Sequence, residues 1–586
     1  MRAHLDESRL LCKCLLQYAQ QQPQQIVLQF HLLRAFTHRN LADFHFLRDW
    51  FTVELPRTYT IHQKRLVFFQ FLELYNNPNF SSYLKSLVIQ HILIPIFTHA
   101  FDNNQGTELI LGESGQAAAD TKADCVLVLI NRVIPEQNGD SYADNDIHKN
   151  NDALLVQLFR LFSLLVEKAH EHIGDAERKQ HGQKLRRIIT FAWPCLMPKN
   201  CVDPASKYHG HLLLAHIIAR FSLSRRIVLQ AFYSLLKAHT HEARPIVRSA
   251  LDVILPSMPL KQNANNCKDA YVHWTRKILV EEGHTISQLM HVLLLVVRHQ
   301  RVYYPANASL IQQMVASMQR LGLAPNNNRE QRRLAVDVAD SLIKWEVRRV
   351  GEMADAKNNP PPPPPSTSLP PAPVEGAADP VKVELDGTAG VVPAVQPLSF
   401  AIERKHRVTI VNFLLCMACQ VNETSQGNIA GDQTSRRCIQ LLCTALRSDI
   451  WPDTDLNLSW LEKILSQADG GPPNCNACVA LDVLSKLLGI FQKSTVMSVL
   501  MALKSGLAVC VFCTNSKVVT AMQNVLLRIF SMHPRSVNKQ TKLPDELLII
   551  PGMDTELESL FIAVKKVVDD GLSSYDKPNA PVSSEC

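Results

Sequence analysis

Apolar positions recur every three or four residues along most of the chain, as in Ile26, Phe30 and Leu33 or Leu154, Leu158, Leu161 and Leu165. That spacing lays side chains along one face of an α-helix. Breakers interrupt the pattern every few tens of residues, at Pro23, Pro56, Pro78, Asn103-Asn104, Pro135, Pro194, Pro256, Pro325, Pro452, Pro472 and Pro534. Short, sequential helices that end at these points are therefore predicted. No Val/Ile/Thr run of period two lies between Asn-Gly or Asp-Gly turns, so no sheet is expected. In the last third, the pattern predicts helices over 402–421, 435–446, 458–465, 477–491, 496–513, 517–530 and 556–568. Polar stretches at 102–124, 135–152 and 425–433 read as connecting loops.

Two such helices with their turns make a unit of about 40 residues, the size of a HEAT or armadillo repeat. A Val-Arg-x-Ala-like signature of HEAT second helices occurs at Val247, Arg248, Ala250 and Leu251, and a related one at Arg333, Ala335 and Val338. One amphipathic pair cannot bury its stripe alone, and stacking on neighbours completes the core. The expected fold is all-α: a HEAT/armadillo-like α-solenoid of stacked helical hairpins. It is interrupted by residues 354–398, where Pro360 to Pro365 open a period-free Pro/Ala/Gly/Val stretch that reads as a disordered, proline-rich linker. The expected organisation is a helical block over 1–353, the linker, a second helical block over 399–572 and a frayed tail over 573–586.

Charge adds little: 61 basic against 54 acidic residues leave +7, too mild over 586 residues to announce a nucleic-acid partner. No uninterrupted apolar run approaches the roughly 18 residues of a bilayer span, and the N-terminus carries Asp6 and Glu7 rather than a secretory signal. A soluble chain is expected, with no membrane partner. Fifteen cysteines scattered through apolar segments read as reduced core thiols of the cytosol or nucleus, and the four Asn-x-Ser/Thr sequons are then idle.

Candidate chemistry is sparse. Cys416/Cys419, Cys475/Cys478 and Cys510/Cys513 have Cys-x-x-Cys spacing, but the first and third lie in apolar helix and the gaps between pairs exceed those of zinc ribbons. Among 22 histidines, His209 and His216 share a helical face without an acidic ligand, and HEARP puts Pro245 where a zinc hydrolase needs its second histidine. Phosphate-binding loops and kinase motifs are absent, and GESGQ around Ser114 lacks the setting of a nucleophile elbow. No catalytic, cofactor or metal residue is assigned, and no enzyme is expected. Basic clusters at Lys179, Lys184, Arg186 and Arg187, and at Arg329, Arg332, Arg333, Arg348 and Arg349, read as solvated faces. The Leu-x-x-Leu-Leu strings ending at Leu165 and Leu488 read as core. Val381-Lys382-Val383-Glu384 has the apolar-Lys-x-acid form of a SUMO acceptor, which makes Lys382 a candidate modification site.

Three stretches carry a resemblance: WPCLMPKNCVDPASKYHGHLLLAHIIARF from Trp193, FSLSRRIVLQAFYSLLKAHTHEARPIVRSALDVILPSMP from Phe221, and NNPPPPPPSTSLPPAPVEGAADPVKVELDG from Asn358. With them the chain resembles an internal helical-repeat segment of the giant pseudokinases of the phosphatidylinositol-3-kinase-related family. That resemblance implies HEAT architecture, a nuclear location and a non-catalytic scaffold role in SAGA-type and MYST-type (NuA/TIP) histone acetyltransferase assemblies. The implied partners are subunits of those assemblies and activation domains of transcription factors. The family's kinase-like and FAT regions have no counterpart here. A karyopherin-like or other trafficking solenoid that binds cargo proteins is the alternative reading of the same architecture.

Overall fold

The computed structural model describes residues 2–37, 44–112, 124–134, 152–174, 183–196, 203–238, 243–258, 270–281, 283–358, 400–419, 429–452, 454–468, 475–491 and 493–532. Among the described residues there is no strand; helices and short turns account for nearly all of them. The chain forms two compact units, Met1–Val302 and Tyr303–Cys586.

In the first unit the helices form two layers. One layer stacks the continuous helical paths 45–58 and 82–102 and then Asp152–Lys168, Pro204–Arg220 and Arg244–Ile254 on one another in chain order. The other runs through Ile26–Leu32, Ile61–Leu74, Cys125–Val133 and Gln183–Ala192. Each helix thus buries one stripe against its hairpin partner and its flanks against the next repeat, which is the packing of an α-solenoid. Phe159, Phe162 and Phe191, almost wholly buried, join the two layers, with ring centroids 4.9 and 5.7 Å apart. Helix starts follow local chemistry. Thr60 and Gln63 form a reciprocal capping box before Ile61–Leu74. Asp124 caps Cys125–Val133, and Asp203 caps Pro204–Arg220 with proline at the first helical position.

Pro56 does not end its helix as expected. His45–Asp49 runs through a π-turn, Trp50–Glu54, into Leu55–Thr58. Proline lacks the amide for the carbonyl four residues back and its ring crowds that carbonyl, and the wider turn makes room. Thr52 and Thr58 hydroxyls donate to Arg48 O and Glu54 O at 2.8 and 2.9 Å. Pro95 is accommodated in the same way, with the π-turn Ile89–Leu93 before Ile94–Asp102. The continuous helical path Ser82–Asp102 has the length and composition of a bilayer span, but 56% of its most apolar window is buried inside the fold, as in a core helix.

In the second unit, Ile311–Leu323 pairs with Arg329–Asn358 and Arg404–Cys419 with Ile429–Ala445, and corresponding helices of the two hairpins pack on each other. Glu346, 1% exposed, ties them together. It accepts from Arg349 at 2.7 Å and from the Ile402 amide at 3.4 Å, with Arg407 3.8 Å away. Arg437 bridges back to Asp337 and Asp340. Helices on both sides of the proline-rich stretch belong to one compact unit, Tyr303–Cys586.

Several local expectations are corrected. Gly106–Leu111 is helical inside the stretch read as a loop, because Leu109 and Ile110 are buried. Ile429–Ala445 begins within the loop expected at 425–433. Helix continues to Asn358, past the expected linker start. The helix expected over 496–513 is two, Lys493–Ala502 and Lys504–Val511, broken at Leu503 (φ −101°, ψ 6°). The prolines of the linker, the helix expected over 556–568 and the tail lie outside the described residues.

Candidate partner-binding surface

The helix Asp152–Lys168 carries Arg160 as its one charged residue between Asp152 and Glu167. Leu158, Phe159, Phe162 and Leu165 point into the core, so the helical pitch turns Arg160, Leu164 and Glu167 to the opposite, partly exposed face. On Pro204–Arg220 the partly exposed positions His209, Leu212 and His216 make the equivalent face. Packing of these two helices brings Arg160 within electrostatic reach of His209 and, two turns further along both, Glu167 within reach of His216. The two helices therefore run parallel and in register. On the other flank, Arg160 and Arg48 both act on His91, in the Ile89–Leu93 turn. Arg48, His91, Arg160 and His209 thus form one row across four successive helical segments of a single layer.

This row is electrostatically unbalanced. Burial, with Arg48 and Arg160 nearby, pulls the His91 imidazole down to about 4. Burial and Arg160 do the same to His209, down to about 4, against the opposing pull of Asp203. Burial also lowers His216, with Glu167 opposing and Arg220 reinforcing. Desolvation in this crowded row lowers the Arg160 guanidinium as well. Arg160 donates to Gln157 Oε1 at 3.0 Å. Among the described residues neither Arg160 nor Arg48 has a carboxylate at ion-pair distance.

The neighbouring His211 has a structural task. It is fully buried; Nδ1 donates to Lys207 O at 2.7 Å, which leaves Nε2 to accept from the Ser234 hydroxyl at 2.8 Å. The bond joins Pro204–Arg220 to Arg225–Lys237, and burial pulls the ring down to about 4.

The residues singled out in the sequence are placed as follows. His209 and His216 do share a face. Lys184 and Arg187 are not a solvated face. Lys184 pairs with Asp124 at 3.2 Å and donates to His172 O, while Arg187 donates to Asn131 Oδ1 at 2.7 Å and to the Ile130 and Ile134 carbonyls. They clamp Gln183–Ala192 to Cys125–Val133. Arg186, on the same helix, is exposed. Arg348 pairs with Glu352 at 2.8 Å and lies over the Tyr304 ring at 4.1 Å, and Arg349 pairs with Glu346. Leu161, Leu165, Leu484, Leu487 and Leu488 are core. Cys510 and Cys513 are buried, their thiols 3.6 Å from Leu465 O and Ala468 O. Burial pushes Cys416 up to about 11 and Cys419 to about 12. Among the described residues no three His, Cys, Asp or Glu side chains are grouped to hold a metal. Lys179, the histidine His241 that opens HEARP, Ser114, the Cys475 side chain and Lys382 lie outside the described residues. Sequence reasoning passed over Arg48, His91 and Arg160; the available signal was a lone cation inside the apolar run LLVQLFRLFSLLV.

A profile of the Tra1 HEAT repeat ring region matches residues 1–584, nearly the whole chain. The chain belongs to the Tra1 HEAT repeat ring family. Within that family it is 41% identical to the transformation/transcription domain-associated protein of Homo sapiens over 97% of its length, and 40% identical to that of Danio rerio over 98%. A more distant relative is the Saccharomyces cerevisiae SAGA complex/NuA4 acetyltransferase complex subunit TRA1, 23% identical over 67% of this chain. The chain spans about 15% of the length of the human and zebrafish relatives, so the Tra1 ring sequence here corresponds to a limited part of those proteins.

Proposed function

We propose that this chain is a non-catalytic scaffold segment of nuclear histone acetyltransferase coactivator complexes, of the SAGA and NuA4 kind, that helps connect transcription activators to chromatin acetylation. The observation that carries this reading is family membership along almost the entire chain, with a yeast relative whose name places it in both complexes. A stacked-hairpin fold supports it, because contacts run only between neighbouring repeats and leave long outer faces for protein partners. The test is affinity purification of the tagged 586-residue chain from nuclear extract. Recovery of acetyltransferase subunits with acetylation activity on nucleosomes is expected. Recovery of a small GTPase with cargo and no acetyltransferase would replace this reading with the trafficking one. The same material tests Lys382 as a SUMO acceptor: a slower-migrating conjugate should vanish in Lys382→Arg.

A further inference from the structure

We propose that the aromatic pair Tyr233 and Trp274, with the lysines and arginines around it, is a docking face for single-stranded RNA. The inference goes beyond the scaffold reading and does not rest on it. Tyr233 on Arg225–Lys237 meets Trp274 on Ala270–Glu281 with ring centroids 4.7 Å apart and planes at 57°. The exposed His273 ring lies 5.9 Å from that of Trp274. Other aromatic pairs of this unit, such as Phe159 with Phe191 and Phe68 with Phe97, are buried in the core, whereas this one is partly exposed. Each of its rings carries a cation: Lys237 Nζ stands 4.7 Å from the Tyr233 centroid and Lys277 Nζ 5.0 Å from that of Trp274. Helical pitch puts Arg226, Gln230, Tyr233 and Lys237 on one stripe, and Arg225, Arg226 and Arg276 are exposed. Together the two helices hold these five lysines and arginines against a single acid, Glu281, which faces Lys277 at 3.9 Å. The net +7 of the whole chain averages over this concentration.

Rings that alternate with cations are what a single strand requires: bases stack on the rings while ammonium and guanidinium groups take the phosphates. A base that displaces a lysine from a ring exchanges an exposed cation–π contact for the stronger base–ring stack, and the displaced amine can then reach the backbone. A duplex keeps its bases stacked on each other and offers the rings nothing. An acidic peptide would use the cations alone. A methylated lysine, which aromatic cages take between their walls, finds no opening, because rings 4.7 Å apart are already in contact. The strand indicated is RNA rather than DNA. Unpaired RNA is read by stacking on tyrosine, tryptophan and histidine together with hydrogen bonds to the ribose 2′-hydroxyl, and the exposed Gln230 and His273, one turn from Tyr233 and next to Trp274, offer acceptors for it.

The probe is a fluorescein-labelled single-stranded RNA of about 12 nucleotides, titrated with the 586-residue chain and followed by anisotropy. We expect saturable binding that weakens with salt. Trp274→Ala should lose about tenfold, the scale of one stacked base, whereas Tyr233→Phe, which keeps the ring, should retain the wild-type affinity. Lys237→Gln/Lys277→Gln should flatten the slope of log affinity against log salt by about 1.4, two phosphates at roughly 0.7 each. Arg329→Gln/Arg333→Gln, at exposed arginines of the other unit, should change neither affinity nor slope. Thermal melting checks each fold, and if Trp274→Ala melts early the salt slope of the lysine pair decides. The proposal is overturned by absent binding, by unchanged affinity in a folded Trp274→Ala, or by an unchanged slope in the lysine pair. Equal binding of a duplex or of the same sequence as DNA, or equal displacement by an oligoglutamate of matching charge, overturns it as well. None of these results bears on recovery of acetyltransferase subunits, so the scaffold reading is tested separately.

Discussion

At the scale of single residues, burial makes His211 a pH-sensitive latch. Its folded pKa of about 4 lies below the ordinary 6.5, so below pH 6.5 the unfolded chain binds a proton that the native ring refuses. The stability it contributes is intact above pH 6.5 and is lost as pH falls from there toward 4, on the order of 3 kcal/mol for a wholly buried imidazole. The protection factors of amides in Pro204–Arg220, taken relative to the intrinsic exchange rate at each pH, should therefore fall between pH 7 and 5, and His211→Gln should make that dependence shallower; an unchanged slope in the variant sinks the assignment. Gly210 on the same helix is a second sensitive point. A Cβ there would sit 2.6 Å from Cys195 Sγ, and Cys195 is itself buried. Gly210→Ala is expected to destabilise the first unit by about 1–3 kcal/mol through overpacking, read as a lower urea midpoint.

At the scale of elements, caps and clamps join local sequence to packing. Asp124 accepts from the Val126 and Leu127 amides and also pairs with Lys184 from the neighbouring helix. Asp124→Ala should lose about 1–2 kcal/mol, most of it the cap, with a smaller share for a partly exposed ion pair. Asp124→Asn, which keeps a capping oxygen but no charge, should recover most of the loss in a denaturation series; if it does not, the ion pair outweighs the cap. Helix identity was legible in the sequence because burial on one face imposes a period that survives any loop length. Boundaries were less so. Pro56 reads as a stop, but the π-turn Trp50–Glu54 ahead of it absorbs the missing amide and the ring, and the buried Trp50 and Phe51 keep that turn inside the fold. Gly106–Leu111 was missed because one short helical turn has too few positions to display a period.

At the scale of the molecule, stability should be local, since a repeat contacts only its neighbours. Phe162→Ala removes a fully buried ring, and about 3–5 kcal/mol with it. Lost exchange protection should concentrate in Asp152–Lys168 and the helices stacked on it, leaving Ser516–Met532 unaffected; uniform loss over both units would contradict a nearest-neighbour architecture. The solenoid class was readable from periodicity and the family from three long stretches. The cationic row was not, because its members lie far apart in sequence and meet only through stacking. His209 and His216 were seen together because one helix carries both, whereas Arg160 and His209 belong to different helices. The rungs of that row are unevenly spaced along the chain, yet adjacent in space. An evolving chain can thus lengthen the connections between helices without pulling that row apart. Deleting one residue inside Asp152–Lys168 would swing everything beyond it by about 100° and part Glu167 from His216. Length is free where helices join and constrained where they stack.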